Sequence, residues 1–126
     1  MENKKIINSF RDLRVYQKSF EVSMRIFHLT KSFPRDEIYS LTDQIRRSSR
    51  SVSGQIAESY RKRKYPKSFS SSLNGAEGEA SETQNWLLYS EACGYANKET
   101  VAELFIDCEN IIGMLVNMQK NAENWK

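Results

Sequence analysis

The sequence predicts an all-α protein: an antiparallel, up-down-up-down four-helix bundle. Three observations lead there. Four stretches repeat apolar residues at spacings of three and four rather than two, the period of a helix face. Only two prolines and five glycines occur in 126 residues, too few for the turn about every 8–12 residues that an all-β sandwich needs. Connections between the stretches are short, which favours antiparallel neighbours. The length suits one domain, so residues 1–126 read as a single bundle.

The first helix is expected over about residues 10–31. Ser9 is a suitable N-cap, and Asp12 falls in the first turn, where the helix dipole favours an anion. Leu13, Tyr16, Phe20, Met24 and Phe27 recur at spacings of 3, 4, 4 and 3 and share one face. Val15, Val22, Ile26 and Leu29 form a second apolar set, about 160–220° away from Leu13. A helix on the outside of a monomeric bundle needs one apolar face, so this helix has one too many. The first set is expected to fill the core of the chain. Exposing the second would leave an apolar patch larger than monomers usually tolerate. Val15, Val22, Ile26 and Leu29 are therefore predicted to form the interface of a closed homo-oligomer, helped by the wide apolar arc of the fourth helix; the alternative is that the first helix is central within one subunit. Phe33-Pro34 ends the helix, because Pro disfavours helical backbone at the residue before it.

The second helix is expected over about 43–62, capped by Thr42. Ile45, Val52, Ile56 and Tyr60 are its apolar face, with Arg47, Arg50 and Arg61 on the opposite side, facing solvent. Gly54, in mid-helix, reads as a kink or a close helix contact, since it costs about 1 kcal/mol relative to Ala. The linker-like stretch Arg63 to Ser68 follows. The third helix spans about 66–92: Pro66 is tolerated at a first helical position, and Phe69, Leu73, Ala76, Ala80, Thr83 and Leu87 form a 4-3-4-3-4 seam of mostly small residues. Gly75 and Gly78 fit close approach by a neighbour, and Gly94 is a natural stop. The fourth spans about 101–121, with Thr100 and Glu103 read as a capping box. Leu104, Cys108, Ile111, Leu115 and Met118 are its seam, widened by Val101, Phe105, Ile112 and Val116 to an arc of about 160°. The first five to eight residues of the chain are expected to be loose.

Few catalytic classes survive inspection. His28 is the sole histidine, so a zinc site has too few ligands and a histidine-based triad has one base with no nucleophile setting around it. Glu77, Glu79 and Glu82 are carboxylates on a bundle helix, but di-iron chemistry also needs Glu-x-x-His pairs that the chain cannot supply. They read as a solvated acidic face. Gly75-x-x-Gly78 encloses Glu77, whose charge would repel phosphate. No metal, cofactor or enzymatic activity is expected. No apolar run approaches a membrane span, and the N-terminus lacks the apolar stretch of a signal peptide. Two cysteines, Cys93 and Cys108, without a C-x-x-C pair, fit a reduced cytoplasmic protein.

Charge is the strongest functional signal. The net value of +3 conceals a block over residues 46–67 with eight Lys/Arg against Glu58 alone, while residues 77–126 carry three Lys and nine Asp/Glu. Arg46, Arg47, Arg50, Arg61, Lys62, Arg63, Lys64 and Lys67 crowd together with Tyr60 and Tyr65 interleaved. Arginine forks suit phosphate oxygens, and an exposed tyrosine such as Tyr65 can stack on unpaired bases. Two functions compete. One is weakly sequence-specific binding of RNA or single-stranded DNA, mostly through backbone phosphates. The other is a scaffold or protein-interaction subunit whose basic face docks an acidic surface of a neighbour or partner protein.

The run Gln44-Ile45-Arg46-Arg47-Ser48-Ser49-Arg50-Ser51-Val52-Ser53-Gly54-Gln55-Ile56-Ala57-Glu58 resembles the Q-x-R-R-A-A-x-S-I-x-x-N-I-A-E-G signature of the 23S rRNA intervening-sequence proteins. Phe10-Arg11-Asp12-Leu13 with Val15 and Gln17, then Phe33-Pro34 with Glu37 and Leu41-Thr42, then Glu79-Ala80, Glu82-Thr83 and Trp86-Leu87 agree in order. Gln55, Ser59 and Ser53 depart from the family's usual Asn, Gly and Pro. The resemblance implies a four-helix bundle in a bacterial family named for reading frames inside insertions in 23S rRNA genes and labelled ribosomal for that reason. The similar accessory proteins of diversity-generating retroelements form five-subunit barrels with a basic surface that binds nucleic acid. A homopentamer and nucleic-acid binding are what the resemblance adds.

Overall fold

Ser9 and Asp12 close the first turn with a reciprocal capping box, but the turn does not run on into a helix. Phe10–Asp12 is a single 3-10 turn, and Leu13 is extended, with φ −72° and ψ 127°. The expected first helix is thereby split, and α1 runs Arg14–Thr30. The computed structural model describes residues 6–126. The looseness expected at the extreme N-terminus falls largely on residues 1–5, outside the described residues. After a 3-10 turn at Arg35–Glu37 come α2, Leu41–Tyr60, and α3, Pro66–Ala92, with the bounds expected for the third helix. Gly94, at φ 79°, turns the chain into α4, Lys98–Lys120. A 3-10 turn at Ala122–Trp125 closes the molecule.

Two helix starts differ from expectation. α2 begins before Thr42 because the Glu37 carboxylate accepts from the Leu41 N–H at 3.2 Å, while Thr42 is buried and its Oγ1 has no partner. α4 begins before Thr100 because the Asn97 side chain caps it, accepting from the Thr100 N–H at 2.8 Å. Asx side chains cap at least as well as Thr.

Cross-helix pairs establish the topology. Ser23 meets Ser49 and Thr30 meets Arg46, so α1 and α2 are antiparallel. Ser48–Thr83 and Lys62–Ser72 make α2 and α3 antiparallel. Gln84–Glu109 and Glu77–Gln119 do so for α3 and α4, and Lys18–Asp107 with Arg25–Glu103 closes α4 against α1. The core runs between all four helices, with Ile26, Ile45, Ile56, Leu73, Leu87, Leu104 and Leu115 fully enclosed. Among the described residues no helix is long and apolar enough to cross a membrane.

The core is threaded with hydroxyls. Ser19, Ser23, Thr30, Ser48, Ser49, Ser59, Thr83 and Ser90 are all buried. Most donate to a carbonyl of their own helix: Ser19 to Tyr16, Thr30 to Ile26, Ser59 to Ile56, Thr83 to Glu79, Ser90 to Trp86, at 2.7–2.9 Å. A hydroxyl satisfied this way adds little bulk, so the neighbouring helix can come close. At mid-bundle, Ser19, Ser49, Ala80 and Thr83 line a cavity of only about 10 Å³. At Gly75 the end of the Gln55 side chain of α2 occupies the space a Cβ would take. At Gly54 nothing lies within 4 Å of a Cβ built on it, and α2 passes through it unbroken.

These hydroxyls overturn the assignment of the two faces of α1. Val15, Val22 and Ile26, expected at an interface, are 3%, 3% and 0% exposed within the single chain, and Leu29 packs against the same core. Of the set expected inside, Leu13 is buried, but Phe20 and Met24 are 51% and 39% exposed and Tyr16 and Phe27 only half-buried. The physical reason is steric. Ser19 and Ser23 lie on the valine-isoleucine face and let it sit close against α2, whereas the aromatic face is too bulky for that groove.

Candidate nucleic-acid interface

α2 divides its residues cleanly. Ile45, Val52 and Ile56 are buried, and Arg47, Arg50, Gly54, Glu58 and Arg61 form the exposed stripe opposite. The expected arginine face is therefore in place. Among the described residues no carboxylate oxygen comes within 4 Å of Arg47, Arg50, Arg61, Lys64 or Lys67. Lys64 and Lys67 are exposed in and just after the connection to α3, and Tyr65 stands 62% exposed between them.

Three of the predicted site residues are engaged within the chain. Lys62 lies 3.7 Å from Glu58 and donates to Ser72 at 3.3 Å. The Arg63 Nε donates to the Tyr60 carbonyl at 2.8 Å while its guanidinium lies 3.8 Å from the Tyr60 ring centre. Arg46 turns towards α1, where its Nε donates to Thr30 Oγ1 at 2.8 Å and its guanidinium lies 4.9 Å from the Phe27 ring centre. Arg50 reaches the same ring at 5.9 Å, and so does Lys31, at 4.9 Å. Lys31 was outside the basic run and went unnoticed in the sequence. Its signal is a cation four residues after an aromatic at a helix end.

The acidic half of the chain is spent largely elsewhere. Asp107 of α4 accepts from both Lys18 and Arg25 of α1 at 3.3 Å, and Glu103 takes Arg25 at 3.1 Å. Glu77 binds Gln119 at 2.8 Å. Glu79, partly desolvated and beside Glu82, is held above the ordinary carboxylate range. The basic stripe of α2 thus keeps its charge, while two of the acidic residues, Asp107 and Glu103, are paired at the α1–α4 seam. His28 is exposed at the edge of the Phe27 ring, 5.3 Å away. Both cysteines are free, Cys93 exposed and Cys108 buried; burial, helped by Asp107 and Glu109, pushes the Cys108 thiol up to about 12.

No curated protein shows significant similarity to the chain. Its fold is similar to the 1.70 Å crystal structure of a protein of unknown function from the S23 ribosomal protein family of Bacteroides thetaiotaomicron, with a TM-score of 0.74 and 28% identity over 84% of this chain and 95% of that one. The 23S rRNA-intervening sequence protein family matches residues 11–117, a span that takes in α1, α2, α3 and all but the last three residues of α4, with the seam of buried hydroxyls and the arginine stripe of α2. With the signature run lying on that stripe, the chain belongs to the 23S rRNA-intervening sequence protein family.

Proposed function

We propose that this protein is a non-enzymatic, cytoplasmic, oligomeric bundle that binds RNA or single-stranded DNA through the outer face of α2 and the connection that follows it. The observation that carries this is the set of exposed cations, Arg47, Arg50, Arg61, Lys64 and Lys67, with no carboxylate partner among the described residues. Each can neutralise a backbone phosphate, and Tyr65 offers a stacking face. Such contacts read phosphate and base planes rather than base edges, so binding is weakly sequence-specific. The alternative is that the basic face docks onto an acidic protein surface; Asp107 and Glu103 are less available for it in a neighbouring copy, because they already hold Lys18 and Arg25.

Self-association now rests on different residues. Tyr16, Phe20 and Met24 present an apolar stripe on α1 that ends at the cation-covered Phe27, and Leu88, Ala102, Phe105 and Ile106 line an open apolar groove between α3 and α4. Phe27 leans towards α2, so stripe and groove belong to different sides of the bundle. A patch that meets a different patch on the next copy makes a head-to-tail contact, which closes into a ring when the rotation allows. Such a ring would repeat the arginine stripe around its circumference and add multivalency.

The test is a gel shift with a labelled single-stranded RNA of about 20 nucleotides at low salt. The wild type is expected to shift it. A variant combining Arg47→Gln, Arg50→Gln and Arg61→Gln, with unchanged helical circular dichroism, is expected to lose most of the shift. No shift by the wild type, or an undiminished shift by the variant, overturns the proposal.

A further inference from the structure

We infer that Lys31, Arg46 and Arg50, gathered around the Phe27 ring, form a discrete phosphate-binding subsite where the end of α1 meets α2. The three cationic groups lie 4.9, 4.9 and 5.9 Å from one ring centre. No two of them can be farther apart than the sum of their distances to it. Three like charges at that spacing repel one another, and among the described residues no carboxylate oxygen lies within 4 Å of any of them. Two features make the arrangement tolerable. The negative face of the Phe27 ring attracts all three. The last carbonyls of α1, which ends at Thr30, carry roughly half a negative charge between them. Set against three full positive charges, that leaves the cluster strongly positive and open to an anion.

One member is held in position. Thr30 is 3% exposed, and its hydroxyl donates to the Ile26 carbonyl at 2.8 Å, leaving the oxygen to accept from Arg46 Nε. Fixed through Nε, the Arg46 guanidinium presents its two terminal nitrogens as a fork, and among the described residues no group accepts from them. A fork suits two oxygens of one phosphate. Lys31, just past the end of α1, and Arg50, from the next turn of α2, bring the further positive charges to the same ring. Phe27 is a positioning residue here: its ring is covered by cations and holds them together. The site takes a phosphate group, either along a nucleic-acid backbone or on a free phosphate compound. It rests on the nucleic-acid proposal for its natural ligand but not for its chemistry.

His28, the sole histidine, lies 5.3 Å from the Phe27 ring, so its imidazole C–H resonances are a built-in reporter. The experiment titrates the full chain with inorganic pyrophosphate at constant ionic strength, and separately with the single-stranded RNA. A saturable His28 shift with both is expected. Lys31→Gln, checked for unchanged helicity, should weaken pyrophosphate roughly five- to ten-fold, one lost charge-assisted contact being of that order, and Phe27→Leu, likewise checked, should weaken it by releasing the cations its ring holds. Lys120→Gln, at the end of α4 and outside the basic face, should leave it unchanged. If pyrophosphate moves His28 no more than sodium chloride does, or if both variants bind it as tightly as wild type, the subsite is refuted. RNA that shifts on a gel without moving His28 also refutes it, and leaves the wider proposal standing. Pyrophosphate binding with no RNA binding supports the subsite as a free-phosphate site and refutes the nucleic-acid proposal.

Discussion

Truncating α1 on its two faces should have unequal consequences, in the reverse order of side-chain size. Ile26 has no exposed surface and Phe20 is 51% exposed. Ile26→Ala removes fully buried methylenes and leaves a cavity in a closely packed core, at a cost of about 2–5 kcal/mol. Phe20→Ala removes a ring that is already half in water, so about half of the 1.5–3 kcal/mol of a full burial is at stake, roughly 1 kcal/mol. For a chain of this length about 4 °C of melting temperature accompanies each kcal/mol. Ile26→Ala should therefore melt about 8–20 °C lower, and Phe20→Ala within about 4 °C of wild type when dilute. The assay is urea and thermal unfolding followed by far-ultraviolet circular dichroism at several protein concentrations. Where the stripe is a subunit contact, Phe20→Ala also removes the concentration dependence of the wild-type midpoint. The reasoning fails if Phe20→Ala costs as much as Ile26→Ala at every concentration, or if Ile26→Ala is silent.

Cys93 should react quickly with an aromatic disulfide reagent at pH 8, whereas Cys108, protonated there because its thiol is pushed up to about 12, should react only on unfolding; two fast thiols per chain would contradict this. The Tyr95 hydroxyl donates to Glu37 at 2.8 Å, which with the Leu41 N–H holds the Glu37 carboxyl below its usual range. Because the folded value is depressed, the associated stabilisation is present at neutral pH and fades as pH falls through the Glu37 titration. Tyr95→Phe should raise the Glu37 midpoint in a carbon-detected titration, and an unmoved midpoint would count against the bond. Gly54→Ala should stabilise the isolated chain by about 0.5–1 kcal/mol, since α2 is unbroken there and the space is open. Asp107→Asn should cost about 1 kcal/mol and lose most of that cost at high salt, because it ends two part-exposed ion pairs.

The helical class, the bounds of α3 and the outward direction of Arg47, Arg50 and Arg61 were all legible from spacing, because a residue type that is either apolar or charged declares its face. α1 was misread because its core side is marked by Ser19 and Ser23 as much as by Val22, and a serine looks polar until its hydroxyl is found on its own helix's carbonyl. The extended Leu13 was hidden for a related reason: Ser9 and Asp12 carry a genuine capping box that closes one turn only. At the basic face, counting charge along the chain found α2 but could not find Lys31, which joins Arg46 and Arg50 through the antiparallel packing of α1 on α2. Nor could it tell that Lys62 and Arg63 are tied down locally.

The salt dependence of single-stranded RNA binding tests the central claim most directly. If Arg47, Arg50, Arg61, Lys64 and Lys67, which have no carboxylate partner among the described residues, each neutralise one phosphate, log K should fall against log salt with a slope of roughly −3.5 per subunit engaged. The triple variant Arg47→Gln, Arg50→Gln, Arg61→Gln should make that slope shallower by roughly 2. A wild-type slope near zero, or a slope that the triple variant leaves unchanged, would contradict a phosphate-binding face on α2.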